Sequence, residues 1–348
     1  LYPSDEDYEY VGREKYAQIS RKGETPHQAG PDYTSEDLKT IEYAALLHDF
    51  GKIGVPESIL VKARKLYNWQ RDILVARFDY IRQWLRSECL QKKLDNSLQK
   101  LGLDGAVRNG TLGVALVDIT NLDEPRVASV NGDKMIYAAS LPKIAILLGA
   151  FVEIEQGNME LDADTRASLT RMIRNSSNAD ATAMLNRVGK KRLLEILQSE
   201  DYRLYDPLVN GGLWVGKEYG KSAAYKRDPL HNLSHGATAL QAARFYYLLE
   251  TGQLVNPRLT AEMKHMLGNP GINHKFVKGL ADHPEAKIYR KSGSWKKWHA
   301  DSAIVEAQGH KYIIVALAES PDGGAWLSRL IQPIHQFMVP TRLASTGN

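Results

Sequence analysis

Ser140 and Lys143 stand three residues apart at the head of an apolar run, Ile144-Ala145-Ile146-Leu147-Leu148-Gly149-Ala150-Phe151-Val152. At the mouth of a helix, that spacing places a hydroxyl and an amine on adjacent turns of one face. A serine hydroxyl becomes a useful nucleophile only when something accepts its proton. A lysine can do so only when burial or neighbouring positive charge brings its pKa toward neutrality. The apolar run behind Lys143 is expected to supply that burial, and the helix N-terminus would offer N–H groups to an oxyanion forming near Ser140. Spacing alone is a weak signal, because Ser-x-x-Lys occurs by chance in many chains.

Two further stretches strengthen it. Asn175-Ser176-Ser177-Asn178 puts a hydroxyl and an amide at the break between two expected helices. Lys291-Ser292-Gly293-Ser294 ends an expected strand, where small residues let a substrate backbone approach the strand edge. Taken singly, each has an ordinary explanation. Ser176 and Asn178 could cap the helix that follows, and Lys291 could be a solvated strand-end charge.

The order Ser140-x-x-Lys143, Ser176-x-Asn178, Lys291-Ser292-Gly293 resembles that of the serine β-lactamases and penicillin-binding proteins, and the spacing is similar to the class A β-lactamase-like branch. The resemblance covers residues 88–340 or so. It implies Ser140 as the acylated nucleophile and Lys143 as its activating partner. It further implies Ser176 as a proton relay to the leaving group, with Asn178 holding the substrate amide and Lys143. Lys291 would supply positive charge and, with Ser292, hold a substrate carboxylate beside Gly293. The N–H groups of Ser140 and Ser294 would form the oxyanion hole. No cofactor and no metal are implied, and the expected partner is a small molecule: a β-lactam, or a D-alanyl peptide or ester.

One departure bears on which reaction occurs. Class A β-lactamases carry Glu-x-x-Leu-Asn after Ser-x-Asn, the glutamate activating the deacylating water. The corresponding stretch, Val209 to Gly220, lacks that motif, and Glu218 is its nearest acidic candidate. The expectation is therefore a serine hydrolase that acylates at Ser140 on β-lactams and deacylates slowly. A D-alanyl-peptidase or esterase on the same residues is the alternative. A penicillin-binding or sensing protein, acylated without turnover, comes from a different class.

Metal ligands were sought in two places. Asp228, His231 and His235 share a loop, but Pro229 and the loop context remove the helical spacing of a zinc pair, and hydrogen bonds that fix the loop are the preferred reading. Ala44 to Leu60, containing His48-Asp49-Phe50-Gly51-Lys52, resembles the first half of an HD-GYP domain, a family of metal-dependent cyclic-dinucleotide phosphodiesterases. That resemblance covers residues 34–82. No histidine lies between His48 and His231, so the family's metal cage cannot be assembled locally, and a decayed helical fragment is expected. An inactive HD-type interaction module with a passenger domain is the remaining hypothesis.

The elements that must position these groups follow from periodicity. An apolar stripe runs from Trp69 to Leu85, and Leu90, Leu94, Leu98 and Leu101 mark another amphipathic helix. Leu112 to Ile119 and Arg126 to Gly132 make a hairpin ahead of the Ser140 helix. Helices are expected over 161–174, 179–188, 192–198, 238–250 and 257–267, with a long polar loop over 201–234. Strands return at 287–293, 300–306 and 312–318, before a last helix over 326–337. Strands at both ends with helices between them predict one sheet closed by its two termini, and the β-lactamase/transpeptidase-like resemblance implies an α+β fold, a mainly antiparallel sheet with helices on both faces. The expected division is an HD-GYP-like helical fragment over 1–86 and a hydrolase domain over 87–348.

Composition excludes several function classes. With 348 residues, 43% hydrophobic and 25% charged, the chain has the balance of an ordinary globular protein. A formal charge of +4 without a concentrated basic stripe gives no case for nucleic acid. Cys89, the single cysteine, excludes an internal disulfide and a Cys-rich zinc site. No apolar run reaches the length of a membrane span. The chain starts at Leu1 rather than Met, so a leader or upstream domain could precede it. The catalytic resemblance implies a periplasmic address and the HD-GYP resemblance a cytoplasmic one; the stronger motifs favour the periplasm.

Overall fold

The computed structural model describes residues 86–340, together with Arg77, all within one unit that spans Arg77–Asn348. The HD-GYP-like stretch with His48 and Asp49, and the apolar stripe from Trp69 to Leu85, lie outside the described residues. The chain begins with a helix α1 over 86–100 and continues through α2 (Asp104–Arg108), β1 (Leu112–Asp118), β2 (Arg126–Val130) and β3 (Ile136–Tyr137). Helices α3 (Lys143–Glu155), α4 (Ala163–Arg174), α5 (Asn178–Val188) and α6 (Lys190–Gln198) follow. Short strands β4 (Tyr205–Asp206), β5 (Gly211–Gly212), β6 (Trp214–Val215) and β7 (His235–Ala237) interrupt the expected loop. Then come α7 (Ala239–Glu250), α8 (Pro257–Leu267), α9 (Phe276–Gly279), β8 (Lys287–Trp295), β9 (Trp298–Ala307), β10 (His310–Glu319) and α10 (Gly323–Met338).

The main sheet has five strands in the antiparallel order β2-β1-β10-β9-β8, so the N-terminal hairpin pairs with the last strand as the sequence pattern predicts. Every residue of β1 is buried. Period two sorts its side chains between two cores. Ala115 and Val117 join the core around α3, while Leu112, Val114 and Leu116 join the core around α10. β10 divides the same way, with Ile313, Val315 and Leu317 on the α3 side and Tyr312, Ile314 and Ala316 on the other. Leu90, Leu94 and Leu98 of α1 pack with Leu327, Leu330 and Ile331 of α10 on that second face. Each fully buried aliphatic side chain contributes roughly 1.5–3 kcal/mol. Among the described residues no helix is long and apolar enough to cross a membrane.

Helix α3 is buried from Lys143 to Glu153, which explains its unbroken apolar sequence. A helix enclosed on all sides cannot offer its first residue to water, so Lys143 is fully buried. The strand β8 is fixed against β9 partly by a buried ion pair. Arg290 donates to Asp301 through Nε and Nη2, at 2.7 and 2.8 Å, and Asp301 also accepts from the Phe276 and Ser302 N–H groups.

Gly293 of β8 touches the turn that carries Ser140. A Cβ there would stand 2.2 Å from Ala138 O and 2.7 Å from Ser140 N, so only glycine allows this approach.

Replacing Gly293 by Ala is expected to push β8 and the Ser140 turn apart by about an ångström and to lower the unfolding midpoint in urea, an overpacking cost of about 1–3 kcal/mol. Asp301→Ala leaves Arg290 buried and unpaired, and is expected to cost about 3–5 kcal/mol in urea unfolding.

Candidate active site

Ser140 lies in a turn rather than in the helix. Lys143 N, Ile144 N and Ala145 N donate to the carbonyls of Ser140, Leu141 and Pro142, a run of i to i+3 bonds that feeds into α3. Residues three apart nearly eclipse in such a turn, so the expected shared face survives although the helix begins only at Lys143. Ala139, just before, has φ +50°, a left-handed conformation that costs a non-glycine residue of order 1 kcal/mol. β3 and β7 pair directly upstream, and Ala138 N donates to His235 O at 3.1 Å. The loop before β7 is thereby tied to the nucleophile's turn.

Ser176 does not cap the helix that follows it. Ser177 has that position, accepting from Asp180 N. Ser176 itself sits at φ +56°, turned so that its side chain reaches two lysines. Lys143 Nζ donates to Ser176 O at 2.6 Å, Ser176 Oγ at 3.3 Å and Asn178 Oδ1 at 2.8 Å. Lys291 Nζ donates to the same Ser176 Oγ at 3.0 Å and to Ser292 O at 2.7 Å. Groups from α3, the α4–α5 break and β8 thus converge on one point.

Electrostatics follow from burial. Desolvation lowers the Lys143 pKa to about 7, partly opposed by the charge of Asp180. Asp180 is itself engaged by Arg171 and Ser168, which hold its carboxyl at about 2, so it does not pair with the lysine. Lys291 is lowered far below its ordinary value by burial first and by the Lys143 charge second. Two amines sharing one hydroxyl cannot both remain charged cheaply, and an arriving carboxylate would restore the charge on Lys291.

Ser140, Asn178 and Ser294 line a cavity of about 650 Å³ walled by Tyr137, Trp295 and Trp298, with Lys217, Lys221 and Arg227 also on its lining. Ser292 is buried opposite Asp301 and enters the constellation through its carbonyl. Ser294 Oγ accepts from Lys275 Nζ at 2.8 Å. Lys275 also donates to the Gly293 and Ala300 carbonyls, and burial lowers its pKa to about 8.

Two of these neighbours, Tyr219 and Lys275, carried no signal in the sequence, and His235 stood out only as a loop histidine expected to make hydrogen bonds that fix the loop. Tyr219 packs beneath Lys143, whose Nζ is 4.5 Å from the ring centroid, and stacks on His235 at 4.4 Å. Burial lowers His235 to about 4, so it is neutral. His235 Nε2 meets Lys217 O, His231 Nε2 meets Asn210 Oδ1, and Asp228 accepts from the Tyr205 hydroxyl: loop-fixing hydrogen bonds rather than a metal cluster. Glu218 lines the cavity but pairs with Lys190 and accepts from Ser222, contacts that hold its carboxyl below the usual range.

Among solved structures, a beta-lactamase from Sphaerobacter thermophilus superposes with a TM-score of 0.57 at 14% identity, over 72% of this chain and 97% of that one. A class A beta-lactamase from Bacteroides cellulosilyticus gives 0.55 at 16%, over 71% and 96%. A PBP-A mutant in an acyl-enzyme complex with penicillin-G gives 0.54 at 16%, again over 71% and 96%. These likenesses establish the β-lactamase/transpeptidase-like fold. No curated protein matches the chain in sequence. The sequence pattern of the Beta-lactamase enzyme family matches residues 92–168 and 163–336, which do not include the HD-GYP-like stretch. That match spans more than half of the chain and contains Ser140, Lys143, Ser176, Asn178 and Lys291, and the chain belongs to the beta-lactamase enzyme family.

Proposed function

We propose that residues 87–348 form a serine hydrolase acylated at Ser140, with β-lactams as substrates and slow deacylation. The observation that carries this reading is the pair of buried lysines, Lys143 and Lys291, on the single hydroxyl of Ser176, with Lys143 three residues after Ser140 in the turn that opens α3. Neutral Lys143 takes the Ser140 proton as Oγ attacks the lactam carbonyl. The tetrahedral oxyanion rests against the N–H groups of Ser140 and Ser294, a contact whose loss costs about 10²–10³ in rate. As the C–N bond breaks, the proton passes from Lys143 through Ser176 Oγ to the leaving nitrogen. Lys291, charged once the substrate carboxylate is beside it, holds that carboxylate, and Asn178 orients Lys143 and the substrate amide. The penicillin-G acyl-enzyme of a PBP-A mutant, a protein similar in fold, supports this choice of substrate.

Slow deacylation is favoured by Glu218. An ionised carboxylate held by Lys190 and Ser222 is a weak base with its lone pairs engaged. The same contacts support the second reading, a penicillin-binding or sensing protein whose acyl-enzyme persists. A D-alanyl-peptidase or esterase would use the same residues on another acyl group.

Intact-protein mass spectrometry with a chromogenic cephalosporin separates these readings. The parent is expected to gain one opened-lactam adduct that decays slowly with colour, and Ser140→Ala to gain none. Glu218→Gln is expected to leave the decay rate within about twofold, its carboxylate being committed to Lys190. Absence of any adduct on the parent would refute the β-lactam assignment. A second expectation concerns pH. With Lys143 at about 7, its neutral fraction falls as pH drops, so the acylation rate constant should be level above pH ~8 and fall about tenfold per unit below pH ~6. A flat profile across that range would remove Lys143 from the role of base.

A further inference from the structure

A second group of converging side chains lies on the α10 face of the main sheet, opposite the face that packs α3. His283 and Glu285 belong to the segment between α9 and β8, and His335 lies in the last turn of α10. One ligand atom from each residue comes within 4.8 Å of the other two, the only such group among the described residues. His283 Nδ1 and Glu285 Oε1 are already 3.2 Å apart. That is about the edge of a tetrahedron drawn with metal–ligand bonds of about 2.0–2.2 Å.

His335 gives the group its direction. The residue is 1% exposed, its Nδ1 lies 3.0 Å from the Tyr312 hydroxyl, and its Nε2 is buried without a hydrogen-bond partner. With Nδ1 turned to Tyr312 in the core, Nε2 is the nitrogen left to face the neighbouring His283 ring, whose centroid is 4.4 Å away. A buried polar atom without a partner is costly and calls for an explanation. If Nδ1–H donates to the Tyr312 oxygen, the lone pair falls on Nε2, the arrangement in which the second nitrogen of a metal-bound imidazole is itself held.

We propose that His283, Glu285 and His335 form a zinc site, two imidazole nitrogens and one carboxylate oxygen with a water completing the tetrahedron. Two nitrogen donors favour Zn²⁺ over Mg²⁺ or Ca²⁺, which take oxygen ligands. The ion ties the end of α10 to Glu285, two residues ahead of β8, the strand that carries Lys291, Ser292 and Gly293. Its role is structural, holding the root of that strand from the far side of the sheet.

The test uses the full chain, stripped with a chelator and titrated with ZnCl₂ by calorimetry, with thermal unfolding read in parallel. One Zn²⁺ per chain and a rise in Tm with zinc are expected. His283→Gln and Glu285→Gln, both on partly exposed side chains, should each weaken binding at least about tenfold and abolish the zinc-dependent rise, while leaving the zinc-free Tm within a degree or two. His335→Gln alters a buried position and can fail to fold, so the two loop variants decide. No binding at one equivalent by the parent, or unchanged affinity in either loop variant, overturns the proposal.

Discussion

The constellation at Ser176 depends on the desolvation of two amines at one hydroxyl. Lys143 and Lys291 are both buried, both donate to Ser176 Oγ, and neither has a carboxylate as hydrogen-bond partner. The nearest acid to Lys143, Asp180, is held by Arg171 and Ser168 on the outer side of α5. Had it paired with Lys143, the amine would have stayed a cation and could not have served as a base. Burial of unpaired amines is destabilising, and left-handed Ala139 and Ser176 add strain to the same few residues. The two cores on either side of the sheet are what offset this cost.

Position matters as much as charge. Gly293 lets β8 close on the Ser140 turn, and Lys275 braces β8 from behind through the Gly293 and Ala300 carbonyls and Ser294 Oγ. Ser294 is thereby held at the cavity where its N–H can face a developing oxyanion. On the opposite wall, the stretch expected as a long polar loop is folded into short strands, and β7 joins it to β3 and so to the nucleophile. Loop 216–234 brings Lys217, Lys221 and Arg227 to the lining of the cavity that also holds Ser140, Asn178 and Ser294.

Much of the fold was legible in the chain. Leucines every fourth residue in α1, the apolar β-rich runs of β1 and β10, and the break at Asn175-Ser176 each correspond to the element found. The long-range closure of the sheet followed from strands at both ends of the domain. Less legible were Tyr219, His235 and Lys275, which lie far in sequence from the motifs they touch and belong to no spacing pattern. The paired roles of His283, Glu285 and His335 were equally hidden, since 50 residues separate Glu285 from His335.

The sequence by itself determined which side chains could carry chemistry, because motif spacing and helical or strand period are local properties of the backbone. Only the tertiary structure decided what those side chains are as acids and bases. For Lys143 the apolar run behind it predicts burial, but the extent of that burial is fixed only when α3 is enclosed on all sides and Tyr219 closes beneath the amine. Ser176 reads as a helix cap until its positive φ turns it toward two amines. Glu218 reads as a candidate base until Lys190 of the neighbouring helix claims it. A pKa is set by solvent exclusion and by charges brought near through space, and neither quantity is written in the order of residues along the chain.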